Sequence, residues 1–263
     1  MIVKSQIGSL VRSIKIIRNP YFGKIPFHHL GGKIFDGIQY LFDGSSIIYP
    51  HGSDKVHNIY RLTRGAPEPE EIYLFLKLIK KVKKNGVMLE IGAGQGFYSL
   101  IASNYLTRGK LILVEANPRF IQMLNQNMVL NKLQNRWIIV QKVITNSDNR
   151  YIKFREFGYA SSIHKKGQYQ VESATIDNLV KQFNLLRINI VHMDIQGEEL
   201  NALYGMEKLL KAKNIDIIMI GTHDVKLHQD CEKFLISKNY PIIFSKDLTK
   251  CSSYDGILIA GII

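Results

Sequence analysis

The chain is poor in the residues that staple, anchor or export a protein. It has two cysteines in 263 residues, Cys231 and Cys251. They stand apart without metal-ligand spacing, which excludes a disulfide scaffold and points to a reducing compartment. No apolar run approaches the roughly 20 residues that a membrane-crossing helix needs. The N-terminus has no apolar stretch followed by a small-residue cleavage site. A cytoplasmic protein is the expectation, and neither an internal repeat nor a low-complexity segment complicates it. Acids are missing from one end. Lys4, Arg12, Lys15, Arg18, Lys24 and Lys33 all precede the first carboxylate, Asp36, in a chain whose formal net charge is +13.

Within that basic stretch Ile7, Leu10, Val11, Ile14 and Ile17 recur at helical spacing, so residues 4–18 are expected to form a basic amphipathic helix. Such a helix suits an anionic membrane surface, peripheral at the inner membrane face. The favoured expectation is that it packs its apolar face on the main domain, or on a second subunit in a homodimer. The other dense basic run, Lys77 to Lys84, reads as the last turns of a helix closed by Asn85-Gly86, where cations complement the helix dipole.

Asn19-Pro20 ends the first helix. Short β-like runs follow, Lys33-Ile-Phe and Ile38-Gln-Tyr-Leu-Phe, punctuated by Asp36-Gly37 and Asp43-Gly44, as antiparallel strands joined by turns would be. Residues 1–66 are therefore expected to form an N-terminal helical and β cap, and residues 67–263 the main domain. Gly65-Ala-Pro-Glu-Pro-Glu-Glu71 opens a helix, with Pro69 in its first turn. Strands are then predicted near 87–91, 111–115, 137–143, 188–194, 215–221, 241–244 and 256–262, with helices at about 97–107, 118–131, 175–184, 197–211 and 224–238. The alternation predicts an α/β fold whose parallel sheet is covered on both faces and binds its ligand at the carboxyl ends of the strands. Glu90, Glu115, Asp194 and His223 all fall at such ends.

The sharpest signal is Val87-Met-Leu-Glu-Ile-Gly-Ala-Gly-Gln-Gly-Phe-Tyr98. A buried strand ends in Glu90 and runs through Gly92, Gly94 and Gly96 into a helix. A dinucleotide fingerprint places its third glycine one residue later. A carboxylate beside the glycines suits a ligand that carries an ammonium group, as S-adenosylmethionine (SAM) does. A second strand, Leu111-Ile-Leu-Val-Glu115, ends in an acid placed for the two hydroxyls of a ribose. That acid would serve NAD equally well; Glu90 and the glycine spacing put SAM ahead.

Together with later stretches, these motifs resemble those of the FkbM family of SAM-dependent methyltransferases. The resemblance rests on Gly65-Ala-Pro-Glu68-Pro, Leu89 to Ser99, Val114-Glu-Ala-Asn-Pro-Arg119 with Asn127 to Asn131, Thr175-Ile-Asp-Asn-Leu179, His192 to Leu200, and Ile220-Gly-Thr-His223. It spans roughly residues 50–263. It implies a Rossmann-like, seven-stranded, mostly parallel sheet with the last strand antiparallel and helices on both faces. It also implies methyl transfer to a hydroxyl of a sugar, glycan, glycolipid or related natural product. The cofactor set it implies is Glu68, Glu90, Gly92, Ala93, Gly94, Gly96, Tyr98, Ser99, Glu115, Ala116, Asn117, Ile144 and Asp194.

The chain departs from the family pattern in three places. Gly94 replaces the usual Asn of Gly-Ala-Asn-x-Gly, Gln196 the Glu of Asp-x-Glu-Gly, and Gly221 the Glu of Glu-x-His. Two of these remove carboxylates, so no divalent metal is expected. Were one bound, Asp194 with Glu198 and His223 would make a mixed oxygen and nitrogen site.

Asp194 and His223 are the catalytic candidates. A hydroxyl is a weak nucleophile, and a histidine's ordinary pKa suits a base at neutral pH. His223 could equally cap the following helix beside Asp224. Asp194 could take the proton, orient the acceptor or hold the methionine ammonium, and Glu68 could contact that ammonium or cap its helix. His192 reads as a hydrogen-bonded core residue, and Glu198 and Glu199 as helix-start acids. Tyr159 to Ser162, with Asn146 and Asp148, are weaker candidates near the cofactor. The charge motivates an alternative, a methyltransferase acting on RNA or another polyanion. The chain nevertheless lacks an Asn/Asp-Pro-Pro-aromatic motif and any interleaved aromatic and basic stripe, so a nucleic-acid partner is not favoured. The lost carboxylates motivate another, a catalytically silent SAM-binding scaffold.

Overall fold

The computed structural model describes residues 2–50, 54–133, 135–156, 158 and 161–262. The elements run α1 (Ile2–Ile17), β1 (Ile34–Phe35), β2 (Ile38–Tyr40), β3 (Ser46–Ile48), α2 (Asp54–Leu62), α3 (Pro69–Ile79), β4 (Val87–Ile91), α4 (Phe97–Ser103), β5 (Lys110–Glu115) and α5 (Pro118–Leu130). They continue with β6 (Trp137–Gln141), β7 (Val143–Ile144), β8 (Tyr151–Arg155), β9 (Ser162–Ile163), β10 (Tyr169–Ala174), α6 (Ile176–Gln182), β11 (Ile188–Met193), α7 (Glu199–Tyr204), α8 (Glu207–Lys211), β12 (Ile215–Thr222), α9 (Val225–Ser237), β13 (Ile242–Lys246) and β14 (Gly256–Gly261).

Seven strands form the central sheet in the order β13-β14-β12-β11-β4-β5-β6. β14 pairs antiparallel with β12 and β13, while β11, β12, β4, β5 and β6 are mutually parallel. Strands buried on both faces read as continuous apolar runs, which is why most of this sheet was predictable. One apolar layer packs α3 and α4 on one face, and another packs α6, α7 and α9 on the other. Strand order reverses between β4 and β11, and there a doubly wound sheet opens its ligand crevice.

The N-terminal strands β1, β2 and β3 form an antiparallel sheet, as expected. It is tied to α5 and its C-cap, where the Asn127 and Asn131 side chains accept from the Ile48 and Ser46 backbone N–H groups at 2.9 Å each. Leu41, Phe42, Ile47 and Tyr60 join the same core as α3 and α4.

Several expectations are corrected. The third strand leaves the central sheet at Lys142, and β7 pairs instead with β10 in a second sheet of order β7-β10-β8-β9. The helix expected over 197–211 breaks at Gly205-Met206. Asp177 accepts from the Lys208 and Leu209 N–H groups at 3.0 Å each and starts α8 afresh. α3 stops at Ile79, closed by tight three-residue bonds from Lys81 to Leu78 and from Val82 to Ile79, so Lys80 to Lys84 lie beyond it. α2 was not foreseen.

The first helix forms with the opposite orientation to that expected. Ser9, Ser13 and Ile16 are buried, whereas Leu10, Val11, Ile14 and Ile17 are 41–51% exposed. Arg12 lies over the Tyr254 ring, 3.0 Å from its centroid, and Asn19 Nδ2 donates to Ser252 Oγ at 2.8 Å. Polar anchoring to the loop before β14 outweighs burial of the apolar stripe.

Candidate active site

A cleft of about 490 Å³ opens at the carboxyl ends of β4, β5, β11 and the loop before β14. Its floor is the turn from β4 into α4. Gly92, Gly94 and Gly96 all have positive φ there, at 75°, 54° and 84°. At Gly92 a side chain has no room, because a Cβ would stand 1.9 Å from the Asp194 carbonyl oxygen. The turn therefore touches the end of β11 along bare backbone, which seats Asp194 beside the cleft.

Glu115 closes β5. Its Oε2 accepts from Gly94 N–H at 2.8 Å and its Oε1 from Asn117 N–H at 2.7 Å. An ionised carboxylate has about four acceptor sites, so a carboxylate held in this way keeps acceptor capacity for a ribose hydroxyl. Ala116 lines the cleft beside it. Phe120, Val143, Ile144, Phe154 and Ile163 form an apolar wall suited to a flat aromatic base. The second sheet supplies most of that wall. Its local signal in the sequence is the alternation through Tyr151-Ile-Lys-Phe-Arg155.

Other members of the predicted cofactor set stand behind the cleft. Glu90 is buried, with Oε2 accepting from Ser99 N–H at 2.9 Å, so it secures the start of α4 instead of facing the ligand. Burial raises its pKa above the ordinary range. Gly96 packs against Met128 and Leu124, Ala93 and Ser99 are core, and Tyr98 stacks on His192 with centroids 3.9 Å apart. Asn117 caps α5 through Arg119 N–H at 3.0 Å. Asp148 accepts from Thr175 N–H at 2.6 Å and so holds the residue that caps α6, while Asn146 reaches Asn201; neither lines the cleft. Ser161 lines it, and Tyr159 and Ala160 lie outside the described residues.

At the far end of the cleft, Asp194 Oδ1 stands 3.1 Å from His223 Nε2, and His223 Nδ1 lies 2.9 Å from Glu199 Oε1. Asp255 Oδ1 is 3.6 Å from the same Nε2. Burial alone would lower the His223 pKa, but Asp194 and Glu199 outweigh it and raise it to about 11. At that value the ring is an imidazolium at neutral pH. A protonated Nε2 requires Gln196, 2.8 Å away, to present its carbonyl oxygen. Asp224, and not His223, caps α9, through the Lys226 and Leu227 N–H groups.

Glu199 is fully buried, and its Oε1 also accepts from Ile195 and Gly197 N–H groups. Asp194, Glu199 and His223 bring three ligand atoms within 4.8 Å, a set that a divalent cation could take. Glu199, not Glu198, is thus the third member; Glu198 turns to Asn201 Nδ2 at 2.8 Å.

Further acids reach the neighbourhood of Asp194 from elsewhere in the chain. Glu68 lines the cleft without capping α3, and burial together with Glu71, Asp255 and Asp194 pushes its pKa well up. Behind it, burial and the charges of Asp194 and Asp255 raise Glu71 to about 8, and Glu71 Oε1 meets His192 Nε2 at 3.0 Å. Burial and Asp194 raise Asp255 to about 6. Crowded carboxylates hold protons because like charges cannot all ionise together. This donor set fits a cofactor carrying both a sulfonium and an ammonium. A cation draws protons off such acids, so cofactor affinity should rise with pH from about 6 to 8 and then level off. Calorimetry in buffers of different ionisation heat should report proton release; affinity that falls over this range would contradict the assignment.

A model of the methyltransferase FkbM domain matches residues 90–242, more than half of the chain. The chain belongs to the FkbM methyltransferase family. SAM is its cofactor, and Glu115, the glycine turn and the apolar wall are the residues that would hold it. Among curated proteins, the FkbM chain is 25% identical over 169 residues to the hexuronic acid methyltransferase AglP of Haloferax volcanii, covering 63% of this chain and 67% of that one. Among solved structures, the METTL16 methyltransferase domain superposes with a TM-score of 0.53 at 11% identity, covering 94% of each chain. That likeness concerns the fold.

Proposed function

We propose that this FkbM methyltransferase transfers the methyl group of SAM to a hydroxyl oxygen of a sugar, glycan, glycolipid or related natural product. The observation that carries the reading is the Asp194–His223–Glu199 array at the cleft. It is a carboxylate at a strand end, backed by an imidazolium that a second, buried carboxylate holds in place. The similarity to a protein named for a hexuronic acid supports a sugar acceptor.

SAM supplies an electrophilic methyl on a sulfonium, so the chain has to align an acceptor oxygen and take its proton. Glu115 holds the ribose end, and Glu68 stands where it can meet the ammonium. His223 was the base expected from sequence. An imidazolium near pKa 11 has no free lone pair at neutral pH, so the proton acceptor in this geometry is Asp194. Its side chain is 37% exposed, against 16% for His223. Glu199 holds the ring through Nδ1, and the ring's charge pairs with Asp194 Oδ1 at 3.1 Å. The same imidazolium supplies the positive charge that a divalent cation would otherwise bring.

Incubation with methyl-labelled SAM and a panel of glycosides, run with and without EDTA, tests the reading. Label on a hydroxyl oxygen, undiminished by EDTA, is the expected result. Label in RNA and in no glycan would reject it, as would SAM binding without turnover on any acceptor.

Replacing His223 with Gln should lower turnover at least tenfold, with SAM affinity changed less than about threefold. It should also leave a pH signature in stability. A group whose pKa is raised from 6.5 unfolded to about 11 folded stabilises most below 6.5, and loses that contribution as pH climbs toward 11. The denaturant-midpoint gap between parent and variant should therefore be full below about pH 6.5 and should close toward pH 11. A gap that widens with pH would refute the imidazolium assignment.

A further inference from the structure

The first helix presents two faces with opposite roles. Ser9, Ser13 and Ile16, spaced at i, i+4 and i+7, are buried on the body, and Arg12 on that side lines the cleft and stacks on Tyr254. Leu10, Ile14 and Ile17, at the same spacing, stand out with Val11 as a stripe, each between 41% and 51% exposed. The spacing keeps all four on one side of the cylinder. Lys15 and Arg18 are exposed and flank this stripe. No carboxylate occurs in the chain before Asp36.

We propose that the outward face of α1 docks on an anionic lipid bilayer. An interfacial helix needs an apolar stripe that enters the acyl boundary and cations at its margin, and the exposed side of α1 has both. The charge pattern selects this occupant over a second copy of the chain. Two copies meeting at this face would set Lys15 and Arg18 against like charges, whereas an anionic surface strengthens binding about fivefold per cation. The fold also supplies the rigidity that docking requires. Asn19 is bonded to Ser252, and Arg12 is stacked on Tyr254, so the stripe is held outward and not folded away. A helix is about 10 Å across, and an interfacial helix sinks about 5–10 Å, so the Arg12 wall of the cleft sits at the level of the headgroups.

Cosedimentation with phosphatidylcholine vesicles, with and without phosphatidylglycerol, tests the proposal on the full chain. The parent should bind the phosphatidylglycerol vesicles at least tenfold more tightly than the neutral ones, and lose that advantage in high salt. A variant carrying Leu10→Ser, Val11→Ser, Ile14→Ser and Ile17→Ser should bind at least tenfold more weakly, and so should Lys15→Glu with Arg18→Glu. SAM calorimetry on both variants in solution should match the parent. It verifies their fold and tests the cofactor site independently of the membrane. Three results would overturn the proposal: no preference for anionic vesicles, binding unchanged in both variants, or a parent dimer that the serine variant converts to monomer.

Discussion

Asp194→Asn should lower turnover by about two to four orders of magnitude, the usual contribution of a positioned proton acceptor. Asparagine keeps the shape of the side chain and its contact with His223, but it cannot take a proton at neutral pH. SAM affinity should fall by no more than about a hundredfold, since Glu115 and the apolar wall hold the nucleoside end and the loss is one charge-assisted contact. The parent's pH profile carries the same information. With His223 raised to about 11, turnover should show no inflection at 6.5 of the kind a free histidine base would produce. A variant that retains activity within about threefold of the parent, or a parent profile with that inflection, would return the base role to another group.

Much of this arrangement was legible in the sequence. The inner strands of the central sheet are buried on both faces, so they appear as apolar runs, and their polar ends mark the crevice. Gly92, Glu115, Asp194 and His223 were found in that way. Glu90 was found too, but its direction was not. A carboxylate at a strand end can point into the crevice or back at the next helix, and here the Ser99 N–H takes it.

What sequence reasoning missed comes from tertiary packing. Glu71 sits in the first turn of α3, where an acid is already explained by the helix dipole. Asp255 lies in a loop with no motif, and Arg12 on a helix outside the resemblance. Nothing local shows that these converge on Asp194. Likewise, the break between α7 and α8 is set by Asp177, about 30 positions upstream, and the orientation of α1 by Ser252 and Tyr254 at the other end of the chain. Gln196 and Gly221 suggest a site poor in acids, yet distant segments bring Glu68, Glu71 and Asp255 beside Asp194. The site is assembled in space from segments that no single motif links.

Gly92→Ala tests that spatial argument most severely. The residue sits at φ +75°, and its Cβ would meet the Asp194 carbonyl oxygen at 1.9 Å, with Asp194 C and Ile195 Cγ2 both at 2.9 Å. Neither close neighbour on the backbone can rotate away, because Asp194 N–H donates to Ile91 O at 3.0 Å and Gly92 N–H to Val114 O at 2.9 Å. The added methyl must therefore part β4 from β11 at the switch point. Left-handed backbone costs a non-glycine residue about 1–2 kcal/mol, and overpacking adds about 1–3 kcal/mol. For a chain of this length that total corresponds to a melting temperature lower by roughly 5–15 °C. The effect on function should exceed the effect on stability. The same displacement moves the glycine turn away from Glu115 and Asp194 away from His223, so SAM affinity should fall about a hundredfold and turnover further, since a misplacement of about 1 Å can cost that much. An alanine variant that binds SAM like the parent would show that the turn does not form the cofactor floor. One that melts like the parent would show that the end of β11 can yield, and the placement of Asp194 would then need another cause.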